Sequence, residues 1–331
     1  MDDMQAIERP TDLLPPVAPR EATRDAVAVV VPCYNEEASI HDVVTDFRAA
    51  LPGVPIYVYD NNSTDRTVEV AAAAGAVVRR ETQQGKGNVM RRIFADVDAD
   101  VYVLVDGDAT YEAAAAPKLI AKLRQERLDM VVGARVTEIQ AAYRRGHRLG
   151  NAVLTGLVAR IFGRRTKDML SGYRVFSRRF VKSFPALSRG FEIETELTVH
   201  ALELRMPIAD VDTAYVDRPP GSESKLSTYR DGWRILRMIM NLVKEERPLQ
   251  FFAVVALVLS GTSLALGYPV ILTFMETGLV PRLPTAVLAA SLGIIAVLAF
   301  VAGVILDTVT LGRRELKRLH YLSLDPPRYD G

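Results

Sequence analysis

Towards its C-terminus the chain carries two unbroken apolar runs, residues 249–274 and 283–306, with no charged side chain in either. A helix rises about 1.5 Å per residue, so each run exceeds the roughly 20 residues that cross a hydrocarbon core of about 30 Å. The link between them, Met275-Glu276-Thr277-Gly278-Leu279-Val280-Pro281-Arg282, is too short to be a domain. A pair of helices buried in a large soluble core is the alternative, but such helices usually run shorter and keep charge on one face. The runs are read as a transmembrane hairpin and everything before them as a separate head.

Flanking charge gives the orientation. Arg234, Arg237, Lys244 and Arg247 precede the first run, Arg313, Arg314, Lys317 and Arg318 follow the second, and the link holds only Glu276 and Arg282. The positive-inside bias puts both outer flanks and the head on the cytosolic side, as expected of a multi-pass protein of the cytoplasmic membrane. Residues 1–25 are acidic and proline-rich without an apolar core, and are expected to form a mobile tail rather than a signal or an anchor. The single cysteine, Cys33, excludes an internal disulfide and reads as a small buried residue at a strand end.

Net charge is +1, so nothing draws the whole chain to nucleic acid. The local balance differs. Between Arg135 and Lys182 stand twelve Lys and Arg against two acids, Glu138 and Asp168. Such a cluster just before a membrane anchor suits an anionic lipid or a lipid phosphate, and a solvated basic face is the plainer alternative. Residues 226–243 place Trp233, Leu236, Ile239, Met240 and Val243 three or four apart, with Arg230, Arg234 and Arg237 elsewhere. That spacing predicts an interfacial amphipathic helix, or else one packed on the core.

From Ala26 onward, β-branched runs alternate with helical patterns. Residues 28–31, 56–59, 101–105 and 130–132 are nearly all apolar and read as buried strands, while 36–51, 64–74, 87–98 and 112–127 have helical composition and length. The alternation predicts an α/β head with a mostly parallel sheet covered by helices on both faces, its ligand at the carboxyl ends of the strands. Three polar clusters follow three strands: Pro32-Cys33-Tyr34-Asn35-Glu36, Asp60-Asn61-Asn62-Ser63-Thr64-Asp65 and Asp106-Gly107-Asp108. Any one is an ordinary turn, with Ser63 expected to cap the next helix; three together point to one crevice.

Two nucleotide motifs are absent. Gly85-Lys86-Gly87 is followed by Asn88-Val89-Met90, which lacks the third glycine of the dinucleotide fingerprint, and no GxxxxGK[ST] loop occurs. Two carboxylates one residue apart in a glycine turn, Asp106 and Asp108, suit Mg²⁺ or Mn²⁺, which shares its shell with substrate phosphates. Such a cation neutralises a diphosphate leaving group.

At these residues the chain resembles the family-2 inverting glycosyltransferases of GT-A fold, specifically the branch that makes polyprenyl-phosphate sugars. The likeness spans residues 27–225, and the trailing two-span hairpin recurs in that branch. It rests on Pro32-x-Tyr34-Asn35-Glu36, Asp60-Asn61-Asn62-Ser63-x-Asp65-x-Thr67, Asp106-x-Asp108, Gly133-Ala134-Arg135, Asp168-x-x-Ser171-Gly172-Tyr173-Arg174 and Gly221-x-x-Ser224-Lys225. The resemblance implies a nucleotide site of Pro32, Tyr34, Asn35, Glu36, Asp60, Asn62, Ser63, Asp65, Lys86, Asp106, Gly107 and Asp108. It implies catalytic roles for Asp106, Asp108 and Arg135, the metal on the two aspartates, and acceptor phosphate on Arg135, Arg148, Ser171, Arg174, Ser224 and Lys225. Many members carry DxDxQ, but here that glutamine position is Thr110, a shorter and weaker oxygen ligand.

Phe191-Glu192-Ile193-Glu194-Thr195-Glu196 offers three carboxylates, with Glu192 and Glu194 as candidates for positioning the sugar and exposed helical acids as the alternative. No QxxRW follows, which disfavours polymerisation. The expectation is transfer of one sugar, with inversion, from a UDP- or GDP-sugar to a polyprenyl phosphate. A lipid hydroxyl acceptor would need Glu192, Glu194 or Glu196 as base; a silent nucleotide-binding scaffold and a transporter fit less well. The expected divisions are a tail (1–25), a catalytic head (26–225), an interfacial helix (226–247), two spans (248–307) and a cytosolic tail (308–331). Gly261, Gly293 and Gly303 would let hairpins of a homo-oligomer approach closely.

Overall fold

The computed structural model describes residues 26–136, 167–188, 190, 192–216 and 243–326, with 156, 237, 240 and 241 as isolated positions. The expected tail at 1–25, Arg148, Ser224, Lys225 and Trp233 lie outside the described residues, as does most of the expected interfacial helix.

Seven strands form one sheet: β1 (Val27–Cys33), β2 (Ile56–Asp60), β3 (Val77–Arg80), β4 (Val101–Leu104), β5 (Met130–Val136), β6 (Arg174–Ser177) and β7 (Ile208–Ala214), in the order β3-β2-β1-β4-β6-β5-β7. β1 runs parallel to β2 and β4, β2 to β3, and β5 to β7, while β6 is antiparallel to both β4 and β5. The helices of the head are α1 (Ile40–Ala50), α2 (Thr67–Ala73), α3 (Lys86–Asp96), α4 (Ala116–Gln125), α5 (Arg178–Ser183) and α6 (Ile193–Glu203).

The apolar runs of the central strands reflect burial on both faces. Val29, Val31 and Val103 point to a layer with Ile40, Val43, Phe47, Leu119 and Leu123 from α1 and α4. Val30, Tyr102 and Phe176 point to the other, with Met90, Ile93, Phe180, Ile193 and Leu197 from α3, α5 and α6. Ile40, Val43, Val44 and Phe47 recur three or four apart, so α1 shows one apolar stripe to the sheet. Three strands escape the sequence pattern. β3 is a four-residue edge strand with mostly exposed side chains, β6 opens on an arginine, and β7 mixes Asp210, Asp212 and Thr213 into its run.

Beyond the head, α7 (Pro248–Thr277) and α8 (Leu283–Ser323) are long and apolar enough to cross a bilayer, and little of their apolar surface is covered by protein. They pack on each other: a Cβ on Gly303 would meet Phe252 Cβ at 2.8 Å, and Ser263 Oγ donates to Ala289 O at 2.7 Å. Gly303 and Gly293 therefore serve contacts inside the hairpin, and only Gly261 of the three glycines has nothing within 4 Å. The stretch expected as a tail from residue 308 is instead, as far as Ser323, the unbroken continuation of α8.

His200 sits in α6 between the Phe180 and Phe184 rings, edge-on at 5.5 and 5.3 Å. Its Nε2 lies 3.1 Å from Ser183 Oγ, and its buried Nδ1 has no hydrogen-bond partner. Burial, reinforced by the Lys317 charge, pushes its pKa down to about 3. A histidine kept neutral in the fold stabilises fully above its unfolded pKa of about 6.5, and that contribution is lost as the pH falls towards 3, at up to about 1.4 kcal/mol per pH unit. The melting temperature should drop between pH 7 and pH 4, and His200→Gln should flatten part of that slope.

Candidate active site

The carboxyl ends of β1, β2 and β4 meet in one crevice because their loops hydrogen-bond to each other. Asn35 N–H donates to Ser63 Oγ at 2.9 Å, and Thr64 N–H to Asn35 Oδ1 at 2.8 Å. Glu36 N–H donates to Thr67 Oγ1 at 2.8 Å, and Glu37 N–H to Asp65 Oδ2 at 3.2 Å. Ser39 Oγ donates to Gly107 O at 2.7 Å, joining the β1 loop to the aspartate turn. Asn35, Asn62 and Ala109 all have φ between 53° and 65°, a left-handed turn in each of the three loops. Asparagine tolerates this region; at Ala109 the surrounding bonds must hold it.

These bonds correct one expectation and give Asp65 a part in building the loop. Ser63 is not the cap of α2, whose N-cap is Arg66 without a side-chain bond; its hydroxyl secures the β1 loop. Asp65 spends Oδ1 on Thr67 and Oδ2 on Glu37, so it builds the loop from inside. Asp60 is 1% exposed, accepts from Ser63 N–H at 3.1 Å and lies 3.6 Å from Arg80 Nε. Tyr34 is exposed at the crevice mouth and Glu36 half-buried below it.

Asp106-Gly107-Asp108 turns directly over Cys33: a Cβ on Gly107 would fall 2.5 Å from Cys33 Sγ. Asp108 is buried, and Thr110 Oγ1 donates to its Oδ1 at 2.6 Å, so Thr110 orients Asp108. Lys86 Nζ lies 2.5 Å from both Asp106 Oδ1 and Glu194 Oε1. Burial pulls the Lys86 ammonium towards losing its proton, but Asp106 and then Glu194 more than reverse this and hold its pKa above the ordinary lysine value.

Asn61, which sequence reasoning left out of the site, brings Lys86 there. Its Nδ2 donates to Glu81 O and Gln83 O, and its Oδ1 accepts from Gly85 N–H at 2.7 Å, the residue before α3. The available signal was its place between Asp60 and Asn62, in a motif read for ligand contacts rather than for loop construction.

The far side of the crevice comes from β5 and the start of β6. Arg135 forms a bidentate pair with Asp168, 2.6 Å from Nε and 2.9 Å from Nη2, and stands 5.5 Å over the Tyr215 ring. Burial raises the Asp168 pKa, and Arg135 outweighs it, leaving the carboxyl below its usual range. Tyr111 Oη accepts from Gly172 N–H at 2.9 Å. Gly172 faces Asp106 so closely that a Cβ would lie 2.1 Å from its Oδ2.

Two residues expected on the acceptor side bond within the protein. Ser171 is fully buried and donates to Gly133 O at 2.6 Å. Arg174 is also fully buried, donating to Ser171 O, Met169 O and Thr198 Oγ1, so it braces the site from inside the protein. Where it is described, the rest of the basic cluster is also paired within the protein, in part at the surface. Lys167 pairs with Asp212, Arg178 with Asp98 and Arg179 with Asp129, and Lys182 donates to Phe94 O. Of the three glutamates, Glu194 reaches the crevice, Glu196 accepts from Leu187 and Ser188 N–H at 2.8 Å, and Glu192 is exposed ahead of α6.

Asp106 and Asp108 offer hard oxygens one residue apart, and among the described residues no group of three or more His, Cys, Asp or Glu forms a full protein cage. That donor set fits a Mg²⁺ or Mn²⁺ ion that draws its other ligands from phosphate and water.

A glycosyl transferase family 2 domain model matches residues 28–184. Glycosyltransferase AglJ of Haloferax volcanii is 34% identical over 304 residues, 91% of this chain and 99% of that protein. The chain belongs to glycosyltransferase family 2. The dolichyl-phosphate hexose transferase of the same organism is 30% identical over 227 residues, 69% of this chain and 98% of that protein. Among solved structures, glucosyl-3-phosphoglycerate synthase from Mycobacterium tuberculosis with phosphoglyceric acid aligns at TM-score 0.55 and 26% identity, over 66% of this chain and 79% of that one. The same enzyme with Mn²⁺, UDP-glucose and phosphoglyceric acid aligns at TM-score 0.54 and 25% identity, with the same coverage. The transferase thus has the GT-A type of sheet, followed by two apolar helices.

Two variants test this geometry. Gly172→Ala should push Asp106 off its position and cost the transferase about a hundredfold in activity while the protein still folds, because a misplacement near 1 Å at a reacting centre costs about that much. Arg135→Ala leaves the Asp168 carboxylate buried without its bidentate partner and should lower stability by about 3 kcal/mol, read as a fall in melting temperature.

Proposed function

We propose that this transferase moves a single sugar, with inversion, from a nucleotide sugar to a polyprenyl phosphate at the cytosolic face of the cytoplasmic membrane. The observation that carries the reading is the charge arrangement at the β4 end: two aspartates and a buried ammonium at one crevice, in a chain that also bears two bilayer-length helices. The dolichyl-phosphate hexose transferase it resembles supports the lipid acceptor, and the Mn²⁺ and UDP-glucose of the solved neighbour support the donor and the metal.

Asp106 and Asp108 would hold Mg²⁺ or Mn²⁺, which supplies positive charge to the departing diphosphate. Thr110 and Gly172 keep the two carboxylates in place, and Lys86 adds a fixed ammonium beside them, preorganised rather than recruited during reaction. Glu194 holds that ammonium from the opposite side. The β1 and β2 loops, with Asp60 buried at their base, form the wall for base and ribose. A phosphate monoester is already an anion near neutral pH and attacks the anomeric carbon without a strong base, so alignment and charge carry the reaction. A hydroxyl acceptor would need a base; of the three candidates Glu196 is engaged by backbone N–H groups, Glu194 by Lys86, and Glu192 is exposed ahead of α6. Two of the three are thus committed elsewhere, which favours the phosphate.

The test uses purified full-length protein, Mg²⁺ and a short polyprenyl phosphate with a panel of UDP- and GDP-sugars, followed by mass measurement of the lipid. One sugar added to the lipid phosphate is expected; a product only with a lipid hydroxyl would overturn the acceptor assignment. Asp108→Ala should abolish transfer. Chelation with EDTA should stop the wild type and Mg²⁺ or Mn²⁺ restore it, and full activity in EDTA would remove the metal from the mechanism.

A further inference from the structure

The second bilayer helix does not end where its apolar run ends. Asp307 is the first charge beyond that run, and α8 continues to Ser323, roughly 24 Å further along its axis. This emergent segment lies against the head. Lys317 Nζ donates to Glu203 Oε2 at 2.7 Å, and Arg314 Nε stands 3.6 Å from Glu203 Oε1. Further along, Tyr321 donates to Asp129 Oδ2 at 2.7 Å, with the Arg179 guanidinium over its ring. The Glu203 side chain is 1% exposed, and among the described residues both of its ion pairs are with α8.

Strand polarity puts this contact on the edge of the sheet opposite the crevice. Asp129 precedes β5, whose far end carries Arg135, and Glu203 is the last residue of α6, just before the chain enters β7 beside β5. α6 joins the two edges. Its first turn holds Glu194 at Lys86, and its last holds Glu203 at Lys317, about 14 Å away along the axis. Between them Thr198 accepts from Arg174, and His200 meets Ser183, fastening the helix to β6 and α5. The membrane helix and the crevice thus grip opposite ends of one rod.

We propose that the emergent end of α8 is a positioning element of the crevice: Lys317 and Arg314, by holding Glu203, fix the axial placement of α6 and thereby set Glu194 against Lys86 and Asp106. A buried carboxylate that loses its cation is strongly disfavoured, so removing Lys317 releases this end of α6. A small axial shift then separates Glu194 from an ammonium that it holds at 2.5 Å. The bilayer anchor becomes a working part of the nucleotide site as well as a tether. This deepens the transferase reading and rests on it for the donor.

The test is a double-mutant cycle in full-length protein, read as affinity for UDP or GDP, whichever the donor panel selects, in the presence of Mn²⁺. Lys317→Met should weaken nucleotide binding about tenfold in the native background and less than twofold on top of Glu194→Gln, the signature of two residues acting through one another. Lys317→Arg should restore affinity to within threefold of wild type. Tyr321→Phe loosens the same segment at Asp129 without touching α6, and should change affinity less than twofold. Equal losses in both Glu194 backgrounds, the same loss in Tyr321→Phe, or no loss in Lys317→Met would each overturn the proposal. Should Lys317→Met fail to fold, Glu203→Gln takes its place in the cycle with the same expectations. Nucleotide affinity needs no acceptor, so a protein that shows the coupling but modifies no lipid phosphate separates failure of the acceptor reading from failure of this one.

Discussion

One ammonium group ties the crevice together. Lys86 Nζ joins the start of α3, the aspartate turn after β4 and the first turn of α6, three segments far apart in the sequence. Without that charge, Asp106 and Glu194 would face each other across a few ångströms of largely dry space, where two carboxylates repel. The position of Lys86 depends in turn on Asn61, which fastens the end of β2 to the loop entering α3. A backbone problem, satisfying the polar groups of the loop that enters α3, is thereby solved by the same residue that aims a charge.

The pairing pattern also shows how little positive charge the described crevice offers to a diphosphate. The arginines and lysines that look, in sequence, like a phosphate-binding cluster are mostly committed to the fold. Arg174 is enclosed by carbonyls and a threonine, and Arg179 is closed over Asp129. Arg135 is held by Asp168 beside the Tyr215 ring. Such fixed guanidinium groups cost folding energy to bury, and in return they hold the β5 and β6 ends rigid around the crevice.

The parts of this architecture that were legible in the sequence were those with strong local periodicity. β1, β2, β4 and β5 were readable because both of their faces are covered, and the two long apolar helices because residues 249–274 and 283–306 carry no charge. β3 and β7 were not, because an edge strand and a strand with polar alternation carry no continuous apolar signal. In the crevice, the aspartate pair announces itself by spacing, whereas the burial of Ser171 and Arg174 depends on neighbours from β5 and α6 that no local pattern specifies. The continuation of α8 past its apolar run was hidden for a similar reason. Its charged residues read as a flank of positive charge for the bilayer until the partners Glu203 and Asp129, more than a hundred residues earlier, are placed beside them.

The reversed direction of β6 has a consequence for how such a transferase can diversify. In a purely parallel sheet, only segments that follow strands reach the carboxyl-end crevice. Because β6 runs the other way, the segment that leads into it arrives at that same edge, beside the segment that leaves β5. The chain between them therefore departs from and returns to the crevice, its two ends clasped together by Arg135 and Asp168. Its length and chemistry can change without disturbing the register of any strand. Variation in that connection would leave the aspartates where they are, tied to the core of the sheet.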